Sequence, residues 1–104
     1  MDSLLVTVQR FVDDHFPGFV ECTIVDSEGC EHQFVEKAPL LSTENLSIDS
    51  IFPQSGSIAC VIKDEWIDGL GRKLVRVNTD HPWNVESVAG GTKFTVFDEQ
   101  VVRD

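Results

Sequence analysis

The chain's clearest alternation of apolar and polar positions lies between Ser57 and Thr79. Ile58-Ala59-Cys60-Val61-Ile62 is followed by a polar bend at Asp68-Gly69-Leu70-Gly71, and then by Lys73-Leu74-Val75-Arg76-Val77-Asn78. Successive side chains of an extended chain point to opposite faces, so the pattern predicts two strands joined as a hairpin. Ile58, Cys60, Ile62 and Trp66 share one face. Asp64 falls out of phase with them, which predicts a bulge or twist near the bend. Ala59, Val61 and Ile67 are apolar on the second face, as suits a strand in the middle of a sheet. On the return strand Val75 and Val77 are predicted core, with Arg76 outward on a face that is polar and wet.

Leu4 to Val12 fits both a helical stripe and an alternation, and the β-branched run Val6-Thr7-Val8 decides for a strand. A change of phase after Arg10 then requires a bulge. Asp13 to Gly18 is predicted to turn at Pro17-Gly18. Phe19 to Asp26 follows as a strand with Val20, Cys22 and Ile24 on one side. Asp26-Ser27-Glu28-Gly29 has the chemistry of a type I turn closed by a left-handed glycine, and Glu31 to Lys37 returns with Phe34 inward. Pro39 to Gly56 is the longest irregular stretch, with a short helical turn expected at Thr43 to Leu46. Its Leu40, Leu41, Leu46, Ile48, Ile51 and Phe52 predict a packed loop rather than a linker. Asp80 to Trp83 reads as a turn, Val85 to Val88 as a short strand, Ala89-Gly90-Gly91 as a turn, and Thr92 to Phe97 as a strand with Phe94 and Val96 inward.

About six short strands joined by glycine-bearing turns predict a mainly all-β fold. The expected architecture is a small antiparallel barrel, closed or partly closed, with one long packed loop. At 104 residues and 41% hydrophobic content the chain is expected to form a single domain over residues 1–104 with a real core. No apolar run approaches the roughly 20 residues of a membrane span, and the start Met1-Asp2-Ser3 has no basic flank. A cytoplasmic location is expected. Three cysteines, Cys22, Cys30 and Cys60, cannot all pair within one chain and read as thiols.

Arg10-Phe11-Val12-Asp13-Asp14, Pro17-Gly18-Phe19-Val20-Glu21, Phe34-Val35-Glu36-Lys37-Ala38-Pro39, Pro53-Gln54-Ser55-Gly56 and Gly71-Arg72 together span most of the chain. On these residues the sequence resembles a set of small, β-rich bacterial proteins to which no activity is attached. The resemblance implies a compact bacterial β protein and nothing about chemistry.

Charge changes the picture most. Asp and Glu number 18 against 8 Lys and Arg, a formal net charge of −10. That exceeds the magnitude of about 2 to 8 that keeps a small domain soluble. Residues 1–52 hold ten acids and two bases, whereas residues 53–104 hold eight acids and six bases. The N-terminal half therefore carries a negative field that attracts cationic partners and repels nucleic acid and anionic lipid.

Candidate chemistry is sparse. Cys22, Cys30, His32, Cys60 and His81 are zinc-type donors, but no Cys-x-x-Cys pair occurs, so no metal site and no cofactor are expected. Cys30 beside His32 is the best nucleophile–base pair, and its place next to a tight turn reads as incidental. Asp13-Asp14, Asp64-Glu65 and Asp98-Glu99 are adjacent carboxylates that face opposite ways in a strand, so no catalytic residue is assigned. Arg72, Lys73 and Arg76 form the basic cluster, with Trp66 near in sequence; the overall charge argues against single-stranded nucleic acid there.

These features lead to an expectation of a non-enzymatic, acidic protein-binding module. Asp13, Asp14, Glu21, Glu28, Glu31 and Glu36 would meet a basic partner, and Trp83, after His81-Pro82 in a turn, is the aromatic expected to be exposed for contact. An immunity or inhibitor protein masking a basic toxin is the concrete form. The alternatives are a small-molecule or metal-binding barrel with hydrolytic activity, and an accessory domain of a complex.

Overall fold

The computed structural model describes residues 1–13, 15, 18–41 and 51–104. Among them run eight strands: β1 (Ser3–Asp13), β2 (Phe19–Val25), β3 (Glu31–Lys37), β4 (Gln54–Ala59), β5 (Val61–Ile67), β6 (Lys73–Asn78), β7 (Lys93–Phe97) and β8 (Val101–Val102). Two 3₁₀ turns, Ala38–Leu40 and Asp98–Gln100, are the sole helical elements among the described residues. All pairings are antiparallel. One sheet has the order β3-β2-β1-β4, with β8 also pairing β1, and the other has the order β5-β6-β7. The expected mainly-β, antiparallel architecture is therefore present, with two more short strands than the pattern gave.

In β1 the alternation outweighs the helical stripe because Leu4, Val6 and Val8 all bury one face while Leu5 and Thr7 stay exposed. Register shifts occur between Val8 and Arg10 and between Phe11 and Asp13. The expected change of phase is thus made by two bulges, and they set Arg10 opposite Glu21 and Phe11 opposite Val20. The inner faces of both sheets share one core, in which Leu4, Val8, Val20, Phe34, Ile58, Val75, Val77 and Val96 are fully enclosed.

The long run from Ile58 to Ile67 does not lie in the middle of a sheet as expected. It is divided at Cys60, whose N–H donates to Asp2 O at 2.9 Å, so that β4 ends one sheet and β5 ends the other. The interior strands are β1, β2 and β6. Apolar residues on both faces of this run mark the corner at which the chain passes between sheets. The predicted bulge is real and falls between Ile62 and Asp64.

On the far side of the core, the β2–β3 hairpin meets β7 and the loop before it without forming a ladder. Ser27 N–H donates to Thr95 O at 2.9 Å, and Val88 N–H donates to Gln33 O at 2.7 Å. Neither sheet is closed into a barrel among the described residues; two single hydrogen bonds stand where a closing ladder would run.

Three further expectations need correction. Val85 to Val88 is not a strand: Val85 and Ser87 are buried in a loop, with Val85 N–H bonded to Thr79 O. The supposedly wet face of β6 includes Asn78, buried at its end, and the next residue, Thr79, is fully buried with its hydroxyl donating to Val85 O at 2.6 Å. The tail after Phe97, to which the sequence assigns no element, supplies β8. The turn expected at Thr43 to Leu46 lies outside the described residues, but Leu41 before it is fully buried and β4 begins at Gln54, inside the stretch read as a loop.

Candidate functional site

The carboxylates singled out by charge fall on the first sheet and its turns. Asp13 ends β1 and pairs with His15 Nδ1 at 2.7 Å; Asp14 lies outside the described residues. Hydrogen bonds from the His15 backbone N–H and ring hold the Asp13 carboxyl below the usual aspartate range. Glu21 on β2 is largely shielded and takes Arg10 at 3.2 Å and the Gln33 amide. Glu28 sits exposed in the β2–β3 turn, Glu31 is exposed at the start of β3, and Glu36 is half-buried near its end. No cation pairs with these last three among the described residues. Trp83, 58% exposed, lies in the Asp80–Trp83 turn after β6, on a different element from the carboxylates.

Residues directly opposite in an antiparallel ladder share a face. Val25 stands opposite Glu31, and Glu21 opposite Val35. The outer face of the β2–β3 hairpin therefore sets carboxylates and valines crosswise on either side of the Thr23–Gln33 pair, with Val25 50% and Val35 41% exposed.

The second sheet has a different outer face. Trp66, Leu74 and Phe97 are in register across β5, β6 and β7, and Asp64, Arg76 and Thr95 form the next row. The Arg76 guanidinium lies 5.2 Å from the Trp66 ring centroid, and that of Arg72 lies 5.3 Å from Phe97. The Asp26–Gly29 turn stands beside this face, and between them runs a cleft of ≈ 550 Å³. Its lining includes Glu28, His32, Trp66, Arg76, Lys93 and Thr95. His32 is fixed there by Asp26 Oδ2 at 2.7 Å and by an edge contact with Phe94 at 5.0 Å.

Of the basic cluster read from the sequence, the structure brings Arg72 and Arg76 into this cleft with Trp66. Lys73 instead reaches Glu65 and Asp98, each at 3.6 Å. Lys93 was missed because it belongs to a strand some twenty residues on, and only the β6–β7 register places it here. Among the described residues no group of three or more His, Cys, Asp or Glu is placed to hold a metal. Cys22 and Cys60 are buried free thiols whose pKa values burial pushes up to about 12 and about 11, which makes them poor nucleophiles. Cys30 is exposed.

Fold and site together define a small two-sheet β protein with an acidic, valine-bearing hairpin on one sheet and a mixed-charge cleft on the other. No family model, curated protein or solved structure matches the chain.

Proposed function

We propose that the protein is a non-enzymatic binding module whose β2–β3 hairpin docks on a basic protein surface, as an immunity or inhibitor protein would dock on a toxin. The observation that carries this reading is the outer set of Glu21, Glu31, Val25 and Val35, backed at the turn by Glu28, which has no cationic partner among the described residues; Glu36, opposite buried Val20, is on the other face of β3 and takes no part. Carboxylates attract and orient the partner, and the valines supply area that leaves water when it docks. The half of the chain that builds this sheet carries ten of the eighteen acids, which extends the attraction beyond contact range. Free thiols suit a reducing, cytoplasmic setting. No helix among the described residues is long and apolar enough to cross a membrane.

The test is capture from host extract with the wild-type chain and with a Glu21→Lys/Glu31→Lys variant, at low and high salt. One basic polypeptide should be retained by the wild type, released by salt and lost with the variant. Retention of nothing at low salt, or equal retention by the variant, contradicts the reading.

A further inference from the structure

We infer that the cleft between the Asp26–Gly29 turn and the outer face of the second sheet binds a mononucleotide. This goes beyond the docking hairpin, because the cleft lies on the other sheet and shares only its rim residue Glu28 with that surface.

Three kinds of group meet in the cleft, and each answers a different part of one ligand. The Trp66 indole with the Arg76 guanidinium stacked 5.2 Å from its centroid offers a flat, polarisable platform for a planar base. Lys93 has no carboxylate partner among the described residues, and the nearest carboxylate to Arg76 is Asp64 at 3.9 Å, both side chains half-exposed. Such an exposed pair is weak, so Asp64 does not draw Arg76 off its stacking place, and Lys93 is the cation left for a phosphate. Opposite them Glu28, likewise without a cationic partner, supplies an acceptor for the exocyclic amine of a base.

A purely anionic ligand would not explain carboxylates in the same cleft, and a purely apolar one would not explain the cations. A molecule anionic at one end, planar in the middle and hydrogen-bond donating at the other satisfies both. The volume of ≈ 550 Å³ lies within the range of small-ligand sites, roughly 300 to 1,000 Å³. A nucleic acid polymer fits less well, since a chain of net charge −10 repels a run of phosphates that extends past the cleft.

The pre-organisation is local. Asp26 Oδ1 accepts the N–H groups of Glu28 and Cys30 at 2.9 Å each, and Ser27 N–H ties the turn to Thr95 O on the cleft floor. The acidic wall is thereby held against the basic one before any ligand arrives, which lowers the ordering cost of binding.

The protein has two tryptophans, so a Trp83→Phe variant leaves Trp66 as the only indole and places the reporter in the cleft. Its fluorescence is titrated with adenosine monophosphate, adenosine, inorganic phosphate and a single-stranded oligonucleotide. The expected result is a saturable change with adenosine monophosphate and affinity lower by about tenfold or more for adenosine, the value of one charge-assisted contact. Lys93→Gln and Arg76→Gln should each weaken the nucleotide by a similar factor, with unchanged far-ultraviolet circular dichroism. No saturable change with the nucleotide overturns the inference, as does an equal response to inorganic phosphate, tighter binding of the oligonucleotide, or indifference to Lys93→Gln. None of these outcomes depends on whether the β2–β3 hairpin retains a basic protein.

Discussion

Asp26 and Asp68, forty-two positions apart, build the same turn. In each case Oδ1 accepts the backbone N–H groups two and four residues on, all at 2.9 Å, and a glycine three residues on takes a positive φ, +83° at Gly29 and +79° at Gly71. The second oxygen differs: Asp26 Oδ2 takes the His32 ring at 2.7 Å, and Asp68 Oδ2 takes the Arg72 guanidinium at 2.8 Å. The two sheets are therefore laid down by one local device, and it fixes the wall of the cleft as well as the far end of the β5–β6 hairpin.

The turn aspartates give the first prediction. Burial alone would raise the Asp26 carboxyl, but the His32 ring and the Cys30 and Glu28 N–H groups outweigh it and hold it low. At Asp68 the Arg72 N–H, then its guanidinium and the Leu70 N–H, do the same. A carboxyl held lower in the folded chain stabilises it above the unfolded pKa of about 4, and that contribution disappears as pH falls through the folded value. Asp26→Asn and Asp68→Asn should each flatten the acid side of a plot of thermal midpoint against pH. An unchanged acid limb in both variants would refute this.

Thiol reactivity gives a second. Burial, with Glu36 and Glu21 adding to it at Cys22, keeps Cys22 and Cys60 protonated, whereas Cys30 is exposed beside a turn. At about pH 8 a disulfide-exchange reagent should label one thiol per native chain, the exposed Cys30. All three should react in denaturant. Rapid labelling of more than one in the native chain would show that the inner faces are not sealed.

Packing gives a third. A Cβ built on Gly56 would lie 2.5 Å from Leu41 O and 2.8 Å from Val8 Cγ2. Gly56→Ala should cost about 1–3 kcal/mol by overpacking, and Phe34→Ala at a fully buried site about 3–5 kcal/mol by leaving a cavity. Urea unfolding measures both; a neutral Gly56→Ala would mean that Leu41 and β4 are not in contact.

The C-terminal end gives a fourth. Arg103 joins Asp98 at 2.7 Å and also Glu65, while Lys73 reaches both carboxylates, so four charges from β5, β6 and the chain end form one network. Arg103→Ala should lower the thermal midpoint, and the difference from wild type should shrink in about 1 M salt, where the screening length falls to about 3 Å. A difference that is insensitive to salt would assign Arg103 a packing role instead.

The strands were legible wherever one face is buried and the other is wet. Val20, Cys22 and Ile24 against Glu21 and Thr23, or Phe94 and Val96 in β7, repeat with period two because a sheet with one covered face imposes it. Both aspartate turns were legible for a similar reason: Asp at the first position and Gly at the fourth are local requirements. What failed was non-local. The corner at Cys60 looks like the middle of one long strand, since both of its faces meet apolar surface, and no local residue signals the change of sheet. Val85 is held through Thr79, whose hydroxyl reaches Val85 O, and Ser87 through its bonds to Gly91, so loop burial imitated a strand. Of the candidate site, the carboxylates could be named from charge, but their crosswise placement with Val25 and Val35 follows from the β2–β3 register. The cleft needed Lys93 to meet Arg76 and Trp66 across β7, β6 and β5, which composition does not encode.

The central claim is that the outer face of the β2–β3 hairpin is the surface a basic partner covers. Amide hydrogen exchange of the chain, free and saturated with the protein it retains from host extract, measures this directly. Slowed exchange should concentrate in residues 21–36, with the Asp64–Arg76 hairpin and β7 unchanged. Protection confined to 64–76 and 93–97, with 21–36 exchanging as in the free chain, would contradict it.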